Sequence, residues 1–202
     1  TPQAHATLIA LDLREGSDRG ALGRMMRLLS DDAARLTQGR AALADSEPEL
    51  AVAPARLTVT FGFGPGFVAR AGGTAPPWLA PLPPFTVDRL QPEFSDGDLL
   101  LQIASDDPLT VSHTARMLLK DTRSFATVRW VQRGFRRATG TEASGTTMRN
   151  LFGQVDGTAN VAPGTAEFDK VVWNTGSTDT AAWMAGGRRP CRGWPTLTPI
   201  RP

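Results

Sequence analysis

No tyrosine, one cysteine and two histidines occur among the 202 residues of this chain. The lone Cys191 leaves no internal disulfide and no cysteine-based metal site to build, and it carries no information on redox compartment. His5 and His113 are the only imidazoles. Lysine is as scarce, with Lys120 and Lys170 alone, so almost all positive charge sits on arginine. Few groups therefore titrate between about pH 5 and 10. That is why a net charge of +2 accompanies a sequence pI of about 9.3. The arginines are dispersed apart from Arg136-Arg137 and Arg188-Arg189. No concentrated basic face argues for nucleic acid as a partner. No apolar run approaches the roughly 20 residues that span a bilayer. The opening Thr1-Pro2-Gln3-Ala4-His5 has no basic-then-apolar leader pattern. Either the protein stays inside the cell, or a leader was removed ahead of this numbering.

What is present is ordinary for a globular protein. Hydrophobic residues make up 41% and charged residues 21%, which argues against disorder over the whole length. Residues 6–13 are short and apolar and read as a buried strand. Leu22, Met25, Met26, Leu29, Ala33 and Leu36 then recur at helical spacing, with Ser17 or Asp18 as cap and Gly39 just past the end. Residues 40–54 read as a loop. Leu57, Val59 and Phe61 alternate with threonines in a second strand, which Gly62-Phe63-Gly64-Pro65-Gly66 ends sharply. Residues 71–97 form a long Gly/Pro-rich loop. A third strand covers 98–105, and Asp106 or Asp107 caps a helix entered through Pro108, with Val111, Ala115, Leu118 and Leu119 as its stripe. A fourth strand covers 125–137.

The order β-α-β-β-α-β is that of the ferredoxin-like fold, in the α+β class. It predicts an antiparallel four-stranded sheet with two helices on one face, over residues 1–137. That arrangement hosts many unrelated activities, so function has to come from a site. Residues 138–187 differ in character and contain the Gly-rich run 153–164 and a candidate fifth strand, Phe168 to Trp173, opening a second half. Residues 188–202 do not read as a strand, because their prolines block ladder donation.

One short run carries chemistry. Gly153-Gln154-Val155-Asp156-Gly157 fits G-x-x-D-G. Alone, it equally describes an aspartate in a glycine turn. The wider run Arg149-Asn150-Leu151-Phe152-Gly153-Gln154-Val155-Asp156-Gly157-Thr158-Ala159-Asn160 resembles the distal-side signature of the dye-decolorizing haem peroxidases. Thr1 to Asp12, Leu57 to Gly64, Asp96 to Ile103 and Val111 to Arg116 are similar to other segments of that family, in order and at compatible spacing over roughly residues 1–187.

The resemblance implies a haem b cofactor, hydrogen peroxide as oxidant and small or bulky organic electron donors. It implies that Asp156 moves a proton within bound peroxide, as general acid–base catalysis. Gly157, Thr158, Ala159 and Asn160 would lie against the haem edge. It also implies an iron-binding histidine and a distal arginine beyond residue 187, so neither His5, read as preceding the first strand, nor His113, read as packing, is expected to bind iron, and no metal ligand is assigned here. The tail from Arg188 is accordingly expected to be aberrant or truncated, with a frameshift near Gly186-Gly187. The opening segment resembles the exported, iron-uptake-linked branch, so export is expected, with a cytoplasmic location as the alternative. Electrons from bulky donors would pass through Trp78, Trp130, Trp173, Trp183 or Trp194, each equally readable as a packing residue. Competing readings are a haem-free ferredoxin-like module, an iron- or haem-handling protein, and an assembly module that forms a homo-oligomer through a sheet edge.

Overall fold

A computed structural model describes residues 2–77, 79–80, 83, 85–136, 140–141, 143, 146–173 and, for backbone alone, 196–199. Strand β1 (His5–Leu13) sits in the middle of the sheet. It pairs antiparallel with β3 (Leu99–Ser105) on one side and β4 (Ala126–Phe135) on the other. β2 (Thr58–Phe63) adds to the far edge of β3. The order β4-β1-β3-β2 is that of the ferredoxin-like fold predicted above.

Register follows from burial. Ile9 pairs Leu101 and Leu11 pairs Leu99, so all four point to the same face. Both helices pack there: α1 (Arg19–Thr37) and α3 (Pro108–Thr122). Met25, Leu29, Ala33 and Leu36 of α1 meet Met117 and Leu118 of α3 over Phe61, Leu101 and Ile103, and this is the core. Of the two caps weighed for each helix, Asp18 accepts from Ala21 N at 2.7 Å, and Asp107 accepts from Thr110 N at 2.7 Å. Ser17 instead donates to the Phe125 carbonyl at 2.9 Å.

Several local expectations are corrected. Gly64 does not simply stop β2. It caps a short helix, α2 (Pro65–Arg70), entered through a proline whose missing N–H is not needed there. A side chain at Gly64 would run into the Gly97 carbonyl, so only glycine lets this turn touch the loop that opens β3. His5 belongs to β1 and pairs Phe135 and Ser105. The candidate strand at 168–173 is a helix, α4 (Ala166–Val172). Thr165 caps it by accepting from Phe168 N at 3.1 Å, and Phe168, Val171 and Val172 fall at helical rather than alternating spacing. Thr196–Pro199 is a strand, β5, paired antiparallel with β2. Its proline occupies the last position of an edge strand, where a lost donor breaks no interior ladder. The rest of 188–202, Cys191 and the Gly186-Gly187 pair lie outside the described residues.

No helix among the described residues is long and apolar enough to cross a membrane.

A buried carboxyl pair joins the two helices. Burial, then the neighbouring charge and hydrogen bond of Asp32, push Asp121 up to about 7. Asp32 is 2% exposed and accepts from Leu43 N at 2.8 Å. Asp121 Oδ2 is buried without a partner among the described residues. A proton on Asp121 therefore lets the two carboxyls share a hydrogen bond. In the unfolded chain the same group titrates near its ordinary 3.8. The folded state thus holds the extra proton between about pH 4 and 7, and its stability falls as pH rises through that window. With partial exposure discounted, the loss is on the order of 1–2 kcal/mol. Asp121→Asn, which can still donate to Asp32, is expected to abolish this fall. Urea unfolding at pH 5 and pH 8 checks it, and a wild-type midpoint that rises over this range would refute the assignment.

Candidate functional site

Asp156 lies on a small hairpin outside the sheet. Arg149 and Val155 form an antiparallel bridge, and Asp156 N donates to the Met148 carbonyl at 2.9 Å. Asn150 organises the turn. Its Oδ1 accepts from Phe152 N at 3.0 Å and Gln154 N at 3.1 Å, and its Nδ2 donates to Gln154 Oε1 at 3.2 Å. This is the local side-chain-to-backbone bonding at which asparagine excels. Arg149 Nη1 donates to the Gly153 carbonyl at 2.7 Å, so this guanidinium is spent inside the hairpin. The sequence placed Arg149 and Asn150 in the lead-in of the motif but gave neither a role in shaping the turn. Their spacing around Gly153 was the available signal.

Gly157 follows at φ +98°, a left-handed conformation that favours glycine. Asn160 N closes the next turn onto the Gly157 carbonyl at 3.1 Å. Asp156, Gly157, Thr158, Ala159 and Asn160 are all exposed. Beside them Leu151 is 86% and Phe152 91% exposed. A carboxylate, an open glycine backbone and two uncovered large apolar side chains thus share one projecting loop. Such a set suits one face of a flat, largely apolar group, a haem included. His113 is buried, with Nε2 2.9 Å from Asp45 Oδ2 and Nδ1 3.2 Å from Arg116 Nη2. His5 opens β1 and lines a groove between α3 and β4.

His113 was expected to be a packing residue. It is instead the centre of a polar lock. Asp45, Glu47 and His113 bring ligand atoms within 4.8 Å of one another, a spacing that would suit a metal. Arg116 fills the space instead, with Nη2 2.7 Å from Glu47 Oε2. The imidazole thus sits between the Asp45 carboxylate at Nε2 and the Arg116 guanidinium at Nδ1, and the guanidinium also reaches Glu47. Burial pushes Asp45 up, yet the Glu47 backbone N–H, the His113 bond and Arg116 outweigh it, and the carboxyl lies below its ordinary value. Lys120 adds a bond from Nζ to the Ala44 carbonyl at 2.6 Å. The loop over residues 40–50 is thereby fastened to α3.

Of the tryptophans, Trp130 lies on β4 and donates from Nε1 to the Asp96 carbonyl at 3.0 Å. Trp173 follows α4. Trp78, Trp183, Trp194 and Arg137 lie outside the described residues. Arg136, the other arginine at the end of the fourth strand, is half-buried.

Fold and hairpin together define a ferredoxin-like domain with an appended, carboxylate-bearing loop. The family model described as "Dyp-type peroxidase, N-terminal" matches residues 1–136. The chain belongs to the Dyp-type peroxidase family. A dye-decolorizing peroxidase of Thermobifida fusca is 34% identical over 91% of this chain and 45% of its own length. A deferrochelatase of Escherichia coli K12 is 36% identical over 93% of this chain and 48% of its own. The crystal structure of a DyP-type peroxidase from Cellulomonas bogoriensis superposes with a TM-score of 0.85 at 50% identity, covering 92% of this chain and 51% of that one. The chain spans about half the length of the curated relatives it matches.

Proposed function

We propose that this chain is the peroxide-facing part of a haem-dependent peroxidase, and that Asp156 is its acid–base group. The observation that carries the reading is the hairpin itself. It projects Asp156 beside an open glycine backbone and two uncovered apolar side chains, within a chain of this family. The haem, of b type, would supply the oxidising iron centre. Gly157, Thr158, Ala159 and Asn160 would border it, with residues 138–187 acting as the haem-side segment appended to the ferredoxin-like domain 1–137. Asp156 would accept the proton of hydrogen peroxide on a carboxylate oxygen and return it to the departing oxygen. The substrates would be hydrogen peroxide and bulky organic donors, which give up electrons at the surface. The resemblance of the opening segment to the exported branch supports export from the cell.

A carboxylate in this role favours acidic conditions. Expressed together with the iron-binding segment that the family resemblance implies, the protein titrated with haemin is expected to develop the Soret band of bound haem. Peroxide-dependent oxidation of a bulky dye should then peak below neutral pH. A peak above neutral would contradict Asp156 as the proton carrier. Absence of any Soret band would favour the haem-free module instead.

A further inference from the structure

The sheet carries two helices, and a place for a third stands open. α3 lies over β1 and β3, while nothing among the described residues covers β4 on that side. Register puts Val131, Arg133 and Phe135 of β4 opposite Ile9, Thr7 and His5 of β1, all facing the helix layer. Between this strip and α3 runs a groove of about 830 Å³. Its apolar surface comes from Ile9, Val111, Ala115, Leu119, Val131 and Phe135. Phe135 is 69% and Val131 44% exposed.

Two features say what fits. Ala115 and Leu119 stand at i and i+4 on α3, a row that a neighbouring helix packs against, and the buried Val111 closes its end. The wall is fifteen residues long, or about 22 Å at the usual rise. The charges are of one sign. Arg116, Lys120 and Arg123 line the α3 side and Arg133 the β4 side, and no carboxylate lines the groove. Arg116 and Lys120 are engaged with Glu47 and the Ala44 carbonyl. The side chains of Arg123 and Arg133 make no hydrogen bond or ion pair among the described residues. An apolar trough with free cations on both banks selects for apolar residues along one stripe and acids beside it. Direct strand addition at β4 is less suited to this edge. A bulge interrupts its pairing where Ala10 gives way to Leu11, and Arg129 and Arg133 interrupt its sequence, as in edges that resist pairing.

We infer that the groove between α3 and β4 is a docking site for an acidic amphipathic helix of a partner protein. The site is separate from the Asp156 hairpin and does not depend on the peroxidase reading.

The test uses the full chain and a fluorescein-labelled helical peptide about five turns long. The peptide carries leucines at i, i+4, i+7 and i+11, flanked by glutamates. Anisotropy is expected to show saturable binding that weakens with added salt. A peptide with the same leucines but lysine flanks should bind at least about 10-fold more weakly. The Arg123→Glu/Arg133→Glu protein should lose at least about 10-fold for the acidic peptide. Val131→Glu, a change at an exposed floor residue, should weaken it as well. Circular dichroism melts of both variants should match wild type, since all three side chains are exposed. Equal binding of both peptides, or unchanged binding by both variants, overturns the proposal. So does a dimer that dissociates on Arg123→Glu/Arg133→Glu, which would assign the groove to a second copy. Tighter binding to phosphatidylglycerol vesicles than to the acidic peptide would likewise assign it to a membrane surface.

Discussion

Asp156→Asn is expected to lower peroxide-dependent oxidation by the haem-loaded protein by about 100-fold or more, the usual range for losing a general acid–base group. Asparagine keeps the size of the side chain and removes its proton affinity. Folding should be untouched. Asp156 is exposed, and only its backbone N–H ties it to the hairpin, through Met148. The melting temperature should therefore stay within about 2 °C of wild type. The Soret band should also persist, because Asp156 faces peroxide in this reading and does not hold the iron. A loss of activity that comes with loss of the Soret band would make Asp156 a structural residue of the haem site. Activity within a few-fold of wild type, with haem bound, would remove it from the mechanism altogether.

His113→Leu should produce the largest loss of stability, about 3 kcal/mol. The reason is the partner left behind. The Asp45 side chain is wholly buried at the His113 contact, and the imidazole is its closest donor there. Removing that donor leaves a buried carboxylate with one hydrogen bond, from the Glu47 N–H at 3.0 Å, and only the charge of Arg116 nearby to offset its burial. For a domain of this size the melting temperature should fall by roughly 10 °C. Asp45→Asn combined with His113→Leu should be less damaging than the sum of the two changes, since the stranded charge is gone. Strict additivity in urea unfolding would show that the pair is not coupled. The Arg116–Glu47 contact is half exposed, so water screens it and it should add little by itself.

The contrast between these two residues shows how much could be read ahead of the fold. Asp156 stood out because its neighbours in sequence are also its neighbours in space. The hairpin that presents it closes over only a few residues, from Met148 to Asp156. His113 was legible only as a residue off the apolar stripe of its helix. Its partner Asp45 is 68 residues away, in a loop whose path no local pattern fixes. The same holds for Asp32 and Asp121, each an ordinary acid on the polar side of a periodic helix until α1 and α3 come together. The error at residues 168–173 was local in kind. A short apolar run fits both periods, and the deciding signal was the Thr165 cap ahead of it.

By itself the sequence determined the four strands and two long helices of the domain, narrowed each helix cap to two neighbouring residues, and singled out the aspartate of the hairpin. Periods of 2 and 3.6 residues, capping and glycine turns all act over a few positions. Tertiary structure alone decided that β5 would extend the sheet at β2, that the loop over 40–50 would be fastened to α3 through His113, that Asp121 would hold its proton against Asp32, and that β4 would keep an uncovered, cationic groove. Each of these joins groups far apart in the chain, and their energies come from burial and from charges meeting in a dry interior, which no stretch of sequence contains.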